Sequence, residues 1–399
     1  MEGETGINPF MEMGGLEEIV PGVAFVSSFA NFTVFDTSDG LVLIDSGAFF
    51  NAAMHLEMVR GWSKQRVHTI VFSHGQVDHA FGAYAYDDEA EALGIEPPHV
   101  VAHENVPARL DRYQLTAGYN GLINQRQFSA DKPVWPDRYR YPDQTYRDQL
   151  TLEVGGTVFE LHHSRGETDD HTWVWVPAHK LLCTGDMFLW VSPNCGNPQK
   201  VQRYAKDWAA GLREMMTYEA EMLFPGHGPP IFGAERVRQA LDETARFLES
   251  IVEQTLTLMN AGAPLDAILQ QVKAPAELLA RPYLRPVYDE PEFVVRNLWR
   301  LYGGWYDGNP ANLKPAPDDE LAREVAALAG GAEKLAARAR ELADAGNHRL
   351  ASHLAEWAGR AAPDNEAVRQ ERSKLYEARA SSELSLMAKG IFSAAARGR

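Results

Sequence analysis

The chain has 399 residues, 45% hydrophobic and 23% charged, as expected of a globular protein with buried cores. Its net charge of −17 argues against a nucleic-acid partner, which needs a basic surface. Two cysteines are too few for a disulfide framework, and no run of about 18 apolar residues predicts a membrane span. The acidic, polar residues 1–9 do not form a secretion signal, so we expect a cytoplasmic protein.

Strands and helices alternate along the first 260 residues. β-branched and aromatic runs bounded by turn residues predict strands at 23–26, 33–35, 41–44, 68–72, 99–102, 150–152, 157–161, 172–176 and 180–183. Helical patterns cover 51–66, 206–217 and 234–259. The segment 104–145 has no clean period, and we interpret it as a long functional insertion. Locally paired strands with helices between them predict an α/β fold, a layered αββα sandwich.

The composition changes near residue 318. The tail is rich in Ala, Leu, Glu and Arg at helical spacing, and Gly330-Gly331 and Gly346-Asn347 punctuate it. This pattern predicts a small all-α bundle of antiparallel helices, which either packs internally or forms a dimer interface. We therefore divide the chain into a catalytic domain at 1–260, a connector at 261–315 and a helical domain at 316–399.

Metal-binding residue types cluster directly after the 68–72 strand. Residues 73–79 read SHGQVDH, one residue away from the H-x-H-x-D-H pattern that holds two metal ions. Imidazole, carboxylate and amide oxygen are all ligands for a divalent metal such as zinc. Three further segments place a histidine or an aspartate at a strand end, so all can converge on one edge of a sandwich. The candidate ligands are His74, Gln76, Asp78, His79, His171, Asp186 and His227.

These motifs resemble those of the metallo-β-lactamase superfamily. The matching segments are L-I-D-S-G at 43–47, S-H-G-Q-V-D-H at 73–79, G-E-T-D-D-H at 166–171, T-G-D at 184–186 and P-G-H-G at 225–228. The resemblance implies an αββα fold with two metals. A first metal would be held by His74, Gln76 and His171. A second would be held by Asp78, His79 and His227. Asp186 would bridge the two, and Asp45 would be a buried structural residue nearby.

Gln76 departs from the superfamily pattern, which has histidine there. Its neutral amide oxygen is a poorer donor to zinc than imidazole. We therefore expect one or two zinc ions, with iron or manganese as further candidates at the Gln76 site. An enzyme that binds a single metal ion, at the second site only, is the alternative.

A second resemblance covers the C-terminal part of the chain. Residues 302–313 read YGGWYDGNPANL and, with the helical stretch that follows, resemble the connector and dimerisation domain of alkyl sulfatases. The likeness implies a metal-dependent hydrolase of sulfuric esters, a small anionic ester as substrate, and a homodimer formed through the C-terminal helices. Alkyl sulfatases carry glutamate where this chain has His171. No lipid-carrier-like domain follows, so we expect a shorter substrate.

Five residues are candidates for binding the anionic substrate. Tyr119, Asn120 and Arg126 lie in a stretch that resembles the sulfate-proximal stretch of alkyl sulfatases. Lys200 and Arg203 follow the 186–198 loop and could meet a sulfate.

The chemistry would be hydrolysis by metal-activated water, which Asp78 or Asp186 would orient. Whether water attacks sulfur or carbon stays open. Two alternatives also stay open. One is a hydrolase of another ester, namely a phosphoester, carboxylic ester, lactone or β-lactam. The other is a non-catalytic metal-binding or scaffold protein.

Overall fold

The computed structural model describes residues 14–398, and the chain divides into two compact units. The first unit contains the described residues up to Ala117, together with Trp135–Ala263 and Ile268–Tyr302. The second contains Gly118–Val134, Pro264–Ala267 and the described residues from Gly303 onward. The units therefore interleave along the sequence, and the domain boundaries at 260 and 315 stay predictions. Residues 1–9, on which the expected cytoplasmic location depends, lie outside the described part.

The first sheet of unit one contains seven strands within residues 14–398, in the order β1-β2-β3-β4-β5-β6-β7. The strands from β1 to β4 pair antiparallel, whereas β4, β5, β6 and β7 pair in parallel. The parallel strands end at one edge, which is where the polar motifs follow. The strands are Gly15–Val20 (β1), Val23–Ser27 (β2), Phe32–Thr37 (β3), Gly40–Ile44 (β4), Val67–Val71 (β5), His99–His103 (β6) and Gln144–Tyr146 (β7).

The second sheet contains six strands in the same described range, in the order β13-β12-β11-β10-β9-β8. Only β11 and β12 pair in parallel there. The strands are Gln149–Val154 (β8), Thr157–His163 (β9), Thr172–Val176 (β10), Leu181–Leu189 (β11), Met222–His227 (β12) and Ile231–Phe232 (β13). The expectation that Asp186 lies beyond its strand is wrong, because β11 continues to Leu189. Gly185 has a left-handed φ of 47° and shifts the register there.

The two sheets pack face to face, and helices cover their outer faces. Phe35 and Val71 of one sheet meet Phe159 and Leu181 of the other in an apolar core. Helices α1 to α3 cover the first sheet, and α5 and α6 pack against the second. This αββα arrangement confirms the predicted fold class. The helices are Ala52–Trp62 (α1), Tyr84–Leu93 (α2), Val106–Leu115 (α3), Ala117–Gln127 (α4), Ala205–Met215 (α5) and Ala234–Asn260 (α6).

The segment 104–145 is more regular than its sequence indicates, because α3 and α4 lie within it. In α4, Gly118 and Gly121 are poor helix formers, and the apolar Leu122 and Ile123 are adjacent, so no helical stripe is visible. The sequence pattern therefore predicted no helix within 106–127, where the structure has α3 and α4. The functional role of the insertion stays a prediction.

The rest of the chain is helical. The elements are Leu265–Gln271 (α7), Ala276–Leu279 (α8), Pro291–Gly303 (α9), Pro310–Leu313 (α10), Asp318–Ala329 (α11), Ala332–Asp344 (α12), His348–Ala361 (α13), Glu366–Ser382 (α14) and Leu386–Ala396 (α15). Short 3-10 helices occupy Phe49–Asn51, Pro177–His179 and Pro282–Leu284. The N-terminal backbone of α13, α14 and α15 is capped by the side chains of Asn347, Asn365 and Ser385.

The helices from α11 to α15 pack around their own small apolar core, as the tail pattern predicts. Leu335, Ala358 and Val368 form one cluster, and Ala339 and Leu375 belong to the next. Across residues 14–398, no helix has both the length and the apolar character needed to cross a membrane.

Candidate metal centre

The loop at 73–79 is held by a carboxylate at the end of the neighbouring strand. Asp45 follows β4 with a left-handed φ of 66°. Its oxygens accept hydrogen bonds from Ser73 N and Ser73 Oγ, each at 2.6 Å. Its Oδ2 also lies 2.9 Å from Nδ1 of His79. A carboxylate at this distance places the ring proton on Nδ1 and leaves the lone pair of Nε2 for a ligand.

Five of the predicted ligands form two overlapping triads. The donor atoms of His74, His79 and Asp186 lie within 4.8 Å of one another, and so do those of Asp78, His79 and His227. His79 Nε2 is 3.2 Å from Asp186 Oδ1. His227 Nε2 is 3.6 Å from Asp78 Oδ2 and also 3.6 Å from Asp186 Oδ1. Ligand atoms this close can share metal ions with little movement of the chain.

Buried polar atoms in the triads fit a divalent cation. His74 Nε2, His79 Nε2 and Asp186 Oδ1 are buried, and none makes a well-aligned hydrogen bond among residues 14–398, although His79 Nε2 and Asp186 Oδ1 lie 3.2 Å apart. An unsatisfied buried polar atom costs about 1–3 kcal/mol. A cation bound between these atoms would satisfy all three, because each presents a lone pair once the His79 ring has lost its extra proton. Nδ1 of His227 contacts the carbonyl oxygen of Phe29, which directs Nε2 towards the aspartates.

The glycine before His227 is required by close packing. A Cβ at Gly226 would collide with Oδ1 of Asp186 and lie 3.0 Å from Cε1 of His79. The glycine before His227 therefore lets the backbone of β12 approach the carboxylate of Asp186. This aspartate belongs to the first triad and lies 3.6 Å from His227 of the second.

The protonation states also suit metal binding. Burial is the largest influence on His74 and His171. It lowers the pKa of His74 well below its usual value and that of His171 to about 4, so both rings are neutral. Burial also opposes the charged form of His79, but Asp186, Asp78 and Asp45 outweigh it and raise the pKa of this ring. A metal that binds His79 must therefore displace a proton, which makes its affinity rise with pH.

His171 and Gln76 lie beside the triads rather than within them. His171 stacks on His74 with ring centroids 4.9 Å apart, and its Nε2 accepts a hydrogen bond of 3.0 Å from Asp186 N. Its Nδ1 is buried and has no hydrogen-bond partner in the described residues. Gln76 donates from Nε2 to Glu167 Oε1 at 3.0 Å. The division of ligands between a first and a second metal stays a prediction.

An ion pair that the sequence did not reveal braces the site. Buried Arg109, on α3, donates to Asp170 Oδ2 at 2.6 Å and also contacts the carboxylate of Asp169. The same Asp170 oxygen accepts from Gly75 N at 3.1 Å. Burial opposes ionisation of Asp170, but Arg109 outweighs it and lowers its pKa. Asp170 thereby joins the 166–171 loop to the 73–79 loop, and Arg109 anchors Asp170 to α3.

The two cations predicted after the 186–198 loop have different surroundings. Arg203 is buried and pairs with Glu167, with Nη1 2.8 Å from Oε1. Lys200 is partly exposed. Burial, with the nearby Arg203, lowers its pKa to about 8, while Asp78 and Glu167 act in the opposite direction. Lys200 therefore lies within the electrostatic field of the triads.

The other three substrate candidates lie on α4, which belongs from Gly118 onward to the second unit. Tyr119 and Arg126 are seven residues apart and share one face of the helix. Tyr119 is 60% exposed, whereas Asn120 is buried. Their role in substrate binding stays a prediction.

Several residues that surround the site were not predicted from the sequence. Arg109 and Asn194 carry no motif that marks them, and nothing in the G-E-T-D-D-H segment singles out Asp170. The partners described above lie 27 or more residues away from them. Glu167 lies inside the G-E-T-D-D-H segment, and its sequence context does not reveal that its side chain is buried.

The profile of the metallo-beta-lactamase superfamily matches residues 27–227, just over half of the chain, so the chain belongs to this superfamily. The profile for alkyl sulfatase dimerisation matches residues 265–398. The superfamily and the triads together support a divalent metal.

The particular relatives are alkylsulfatases. A linear primary-alkylsulfatase of Pseudomonas sp. is 25% identical over 86% of this chain and 68% of its own length. An (R)-specific secondary-alkylsulfatase of Pseudomonas sp. is 28% identical over 90% of this chain and 58% of its own length. A solved structure of a double mutant of the sec-alkyl sulfatase PisA1 superposes with a TM-score of 0.87, at 25% identity over 96% of this chain and 65% of that one. The chain thus spans roughly three fifths to two thirds of these relatives.

The Asp45 contact can be tested by Asp45→Asn. The amide removes the charge that holds the His79 ring, so we expect metal affinity to fall about 10–100-fold, the usual cost of losing such a partner. Competition with a chromophoric chelator measures the affinity. Asp36→Asn, an exposed change of the same chemistry on β3, is the control and should leave the affinity unchanged. Equal affinity in both variants would show that Asp45 does not orient His79.

Proposed function

We propose that this protein is a divalent-metal-dependent hydrolase of sulfuric esters, and that its substrates are alkyl sulfates. The observation that carries the proposal is the pair of triads that share the buried His79, in a chain whose sequence also matches the alkyl sulfatase dimerisation profile. The alkylsulfatases that it resembles support the substrate class.

The metal would be held by the seven predicted ligands. Histidine nitrogens dominate around His79 and His227, which favours zinc, whereas the amide of Gln76 favours a harder ion such as iron or manganese. A divalent metal bound here acts as a Lewis acid and makes water a competent nucleophile or base near neutral pH. The ligands are His74, Gln76, Asp78, His79, His171, Asp186 and His227.

The two catalytic aspartates have different tasks. The side chain of Asp186 is 4% exposed and that of Asp78 is 17% exposed. Burial opposes ionisation of Asp186, but His79 and His227 hold its pKa well below its usual value, so it stays anionic and binds cations. Asp78 lies at the more open side of the cluster. It is therefore better placed to orient an attacking water and to take its proton.

The sulfate group would be recognised by Lys200. Arg203 already donates to the carboxylate and the backbone carbonyl of Glu167, which leaves it less capacity to bind a substrate. Lys200 lies near Asp78 and can offer three N–H donors to a sulfate. Tyr119, Asn120 and Arg126 remain further candidates for this role.

We also propose a homodimer, with the second unit as its interface. Leu321, Leu328 and Leu350, in the region that matches the dimerisation profile, are 45–89% exposed. Light scattering that gives the mass of one chain, 44.4 kDa, would contradict the dimer. The cytoplasmic location stays a prediction from the first residues.

Sulfate release tests the function directly. Zinc-reconstituted protein should release inorganic sulfate from straight-chain alkyl sulfates, with a chain-length optimum set by its pocket. His79→Ala should lower the rate by more than about a hundredfold, because even outer-shell partners of metal ligands contribute 10–100-fold. His99→Ala removes an exposed histidine on β6 and should change nothing.

The negative results are equally informative. Metal uptake without sulfate release would indicate that the protein hydrolyses another kind of ester. A protein that takes up no divalent metal would support a scaffold role instead.

The pH dependence of KM tests Lys200. With a pKa of about 8, Lys200 is mostly cationic near pH 7 and mostly neutral near pH 9, so the attraction for sulfate is present at the lower pH and lost as pH rises. We expect KM for an alkyl sulfate to rise up to about tenfold over this range. Lys200→Arg stays charged and should flatten the rise. The same rise in both proteins would exclude Lys200 as the group responsible.

A further inference from the structure

Three donors converge on one oxygen of a buried carboxylate beside the triads. Glu167 Oε1 lies 3.0 Å from Gln76 Nε2, 2.5 Å from Asn194 Nδ2 and 2.8 Å from Arg203 Nη1. Glu167, Asn194 and Arg203 are all buried. A guanidinium and two amide nitrogens can only donate, so Oε1 acts as the common acceptor.

This arrangement determines which end of the Gln76 amide points towards Glu167. A primary amide has a nitrogen that donates and an oxygen that accepts, and only the oxygen is a useful metal ligand. Because the nitrogen is bound to Glu167, the oxygen is turned away from it. An unanchored glutamine would exchange the two ends, and ordering its side chain costs conformational entropy. Glu167 supplies a hydrogen bond that offsets this cost.

Glu167 is itself held firmly. Arg203 Nη1 also donates to the backbone oxygen of Glu167 at 2.6 Å. The backbone of Arg203 exchanges two hydrogen bonds with the side chain of Asn297: the Arg203 N–H donates at 3.3 Å and its carbonyl accepts at 2.8 Å. Tyr204 N donates to Gly166 O at 3.0 Å. The carboxylate therefore has little freedom to follow Gln76 if the glutamine moves.

We propose that Glu167 is a positioning residue for the metal centre, which fixes Gln76 so that its amide oxygen is available to a divalent metal. The inference rests on the proposed metal-dependent function and deepens it. Position 76 carries an amide where the superfamily motif has an imidazole, and Glu167 makes that amide usable as a ligand. Glu167 acts through Gln76 and does not itself need to touch substrate.

A double-mutant cycle on metal affinity tests this coupling. Metal-free wild type, E167Q, Q76M and E167Q/Q76M are titrated with Co²⁺ against a competing chelator, and the visible spectrum of the bound cobalt is recorded. E167Q should weaken the weaker Co²⁺ site about 10–100-fold and change the spectrum. Q76M keeps the side-chain length but removes the ligand, so it should cost at least as much. The double variant should bind no more weakly than Q76M.

Controls separate positioning from folding. E243Q removes a buried glutamate that pairs with Arg281 and contacts Tyr283 in the same unit, and it should leave Co²⁺ binding unchanged. If E167Q does not fold, E167D retains the charge for Arg203 but shortens the reach to Gln76, and it should weaken the same site.

Two results would overturn the inference, and they are distinguishable. If E167Q lowers affinity by the same factor in the Q76M background, Glu167 does not act through Gln76, and the proposed metal centre still stands. If wild type takes up no Co²⁺, the proposed function fails together with the inference.

Discussion

The carboxylate of Asp45 is the contact on which the rest of the site depends. It lies where two parallel strands end side by side, and it binds both the backbone and the hydroxyl of Ser73 as well as the ring of His79. Without that anchor, His79 could present either ring nitrogen. With it, Nε2 becomes the atom common to both triads. A structural aspartate thus holds the side chains of the 73–79 loop in a preorganised arrangement.

The balance of buried charge explains why the site needs a cation. Asp170 and Glu167 pair with Arg109 and Arg203. Three other carboxylates, Asp45, Asp78 and Asp186, have only histidines as ion-pair partners within residues 14–398. Burying several negative charges without compensation is expensive. Divalent metals would provide that compensation at the place where the unsatisfied nitrogen and oxygen atoms meet.

The sequence predicted those features that depend on residues adjacent along the chain. It did not predict contacts between residues that are distant along the chain. The strand-loop pattern around 68–79 predicted the sheet edge and three of the five residues that the two triads bring together, because these residues follow the strand directly in the sequence. The brace from Arg109 to Asp170 joins residues 61 positions apart, and no local pattern encodes such a pair. Helix α4 was missed because its glycines and scattered apolar residues hide the helical period. The environment of Gln76 could not be foreseen, because it depends on Glu167 and Arg203 meeting in three dimensions.

Anomalous diffraction from crystals of the metal-reconstituted protein, collected at the absorption edge of the added metal, would locate the bound metal directly. We predict an anomalous peak coordinated by His79 with Asp186 or His227, and a second one close to the oxygen of Gln76 if two ions bind. Strong peaks elsewhere, with none among the residues of the two triads, would contradict it.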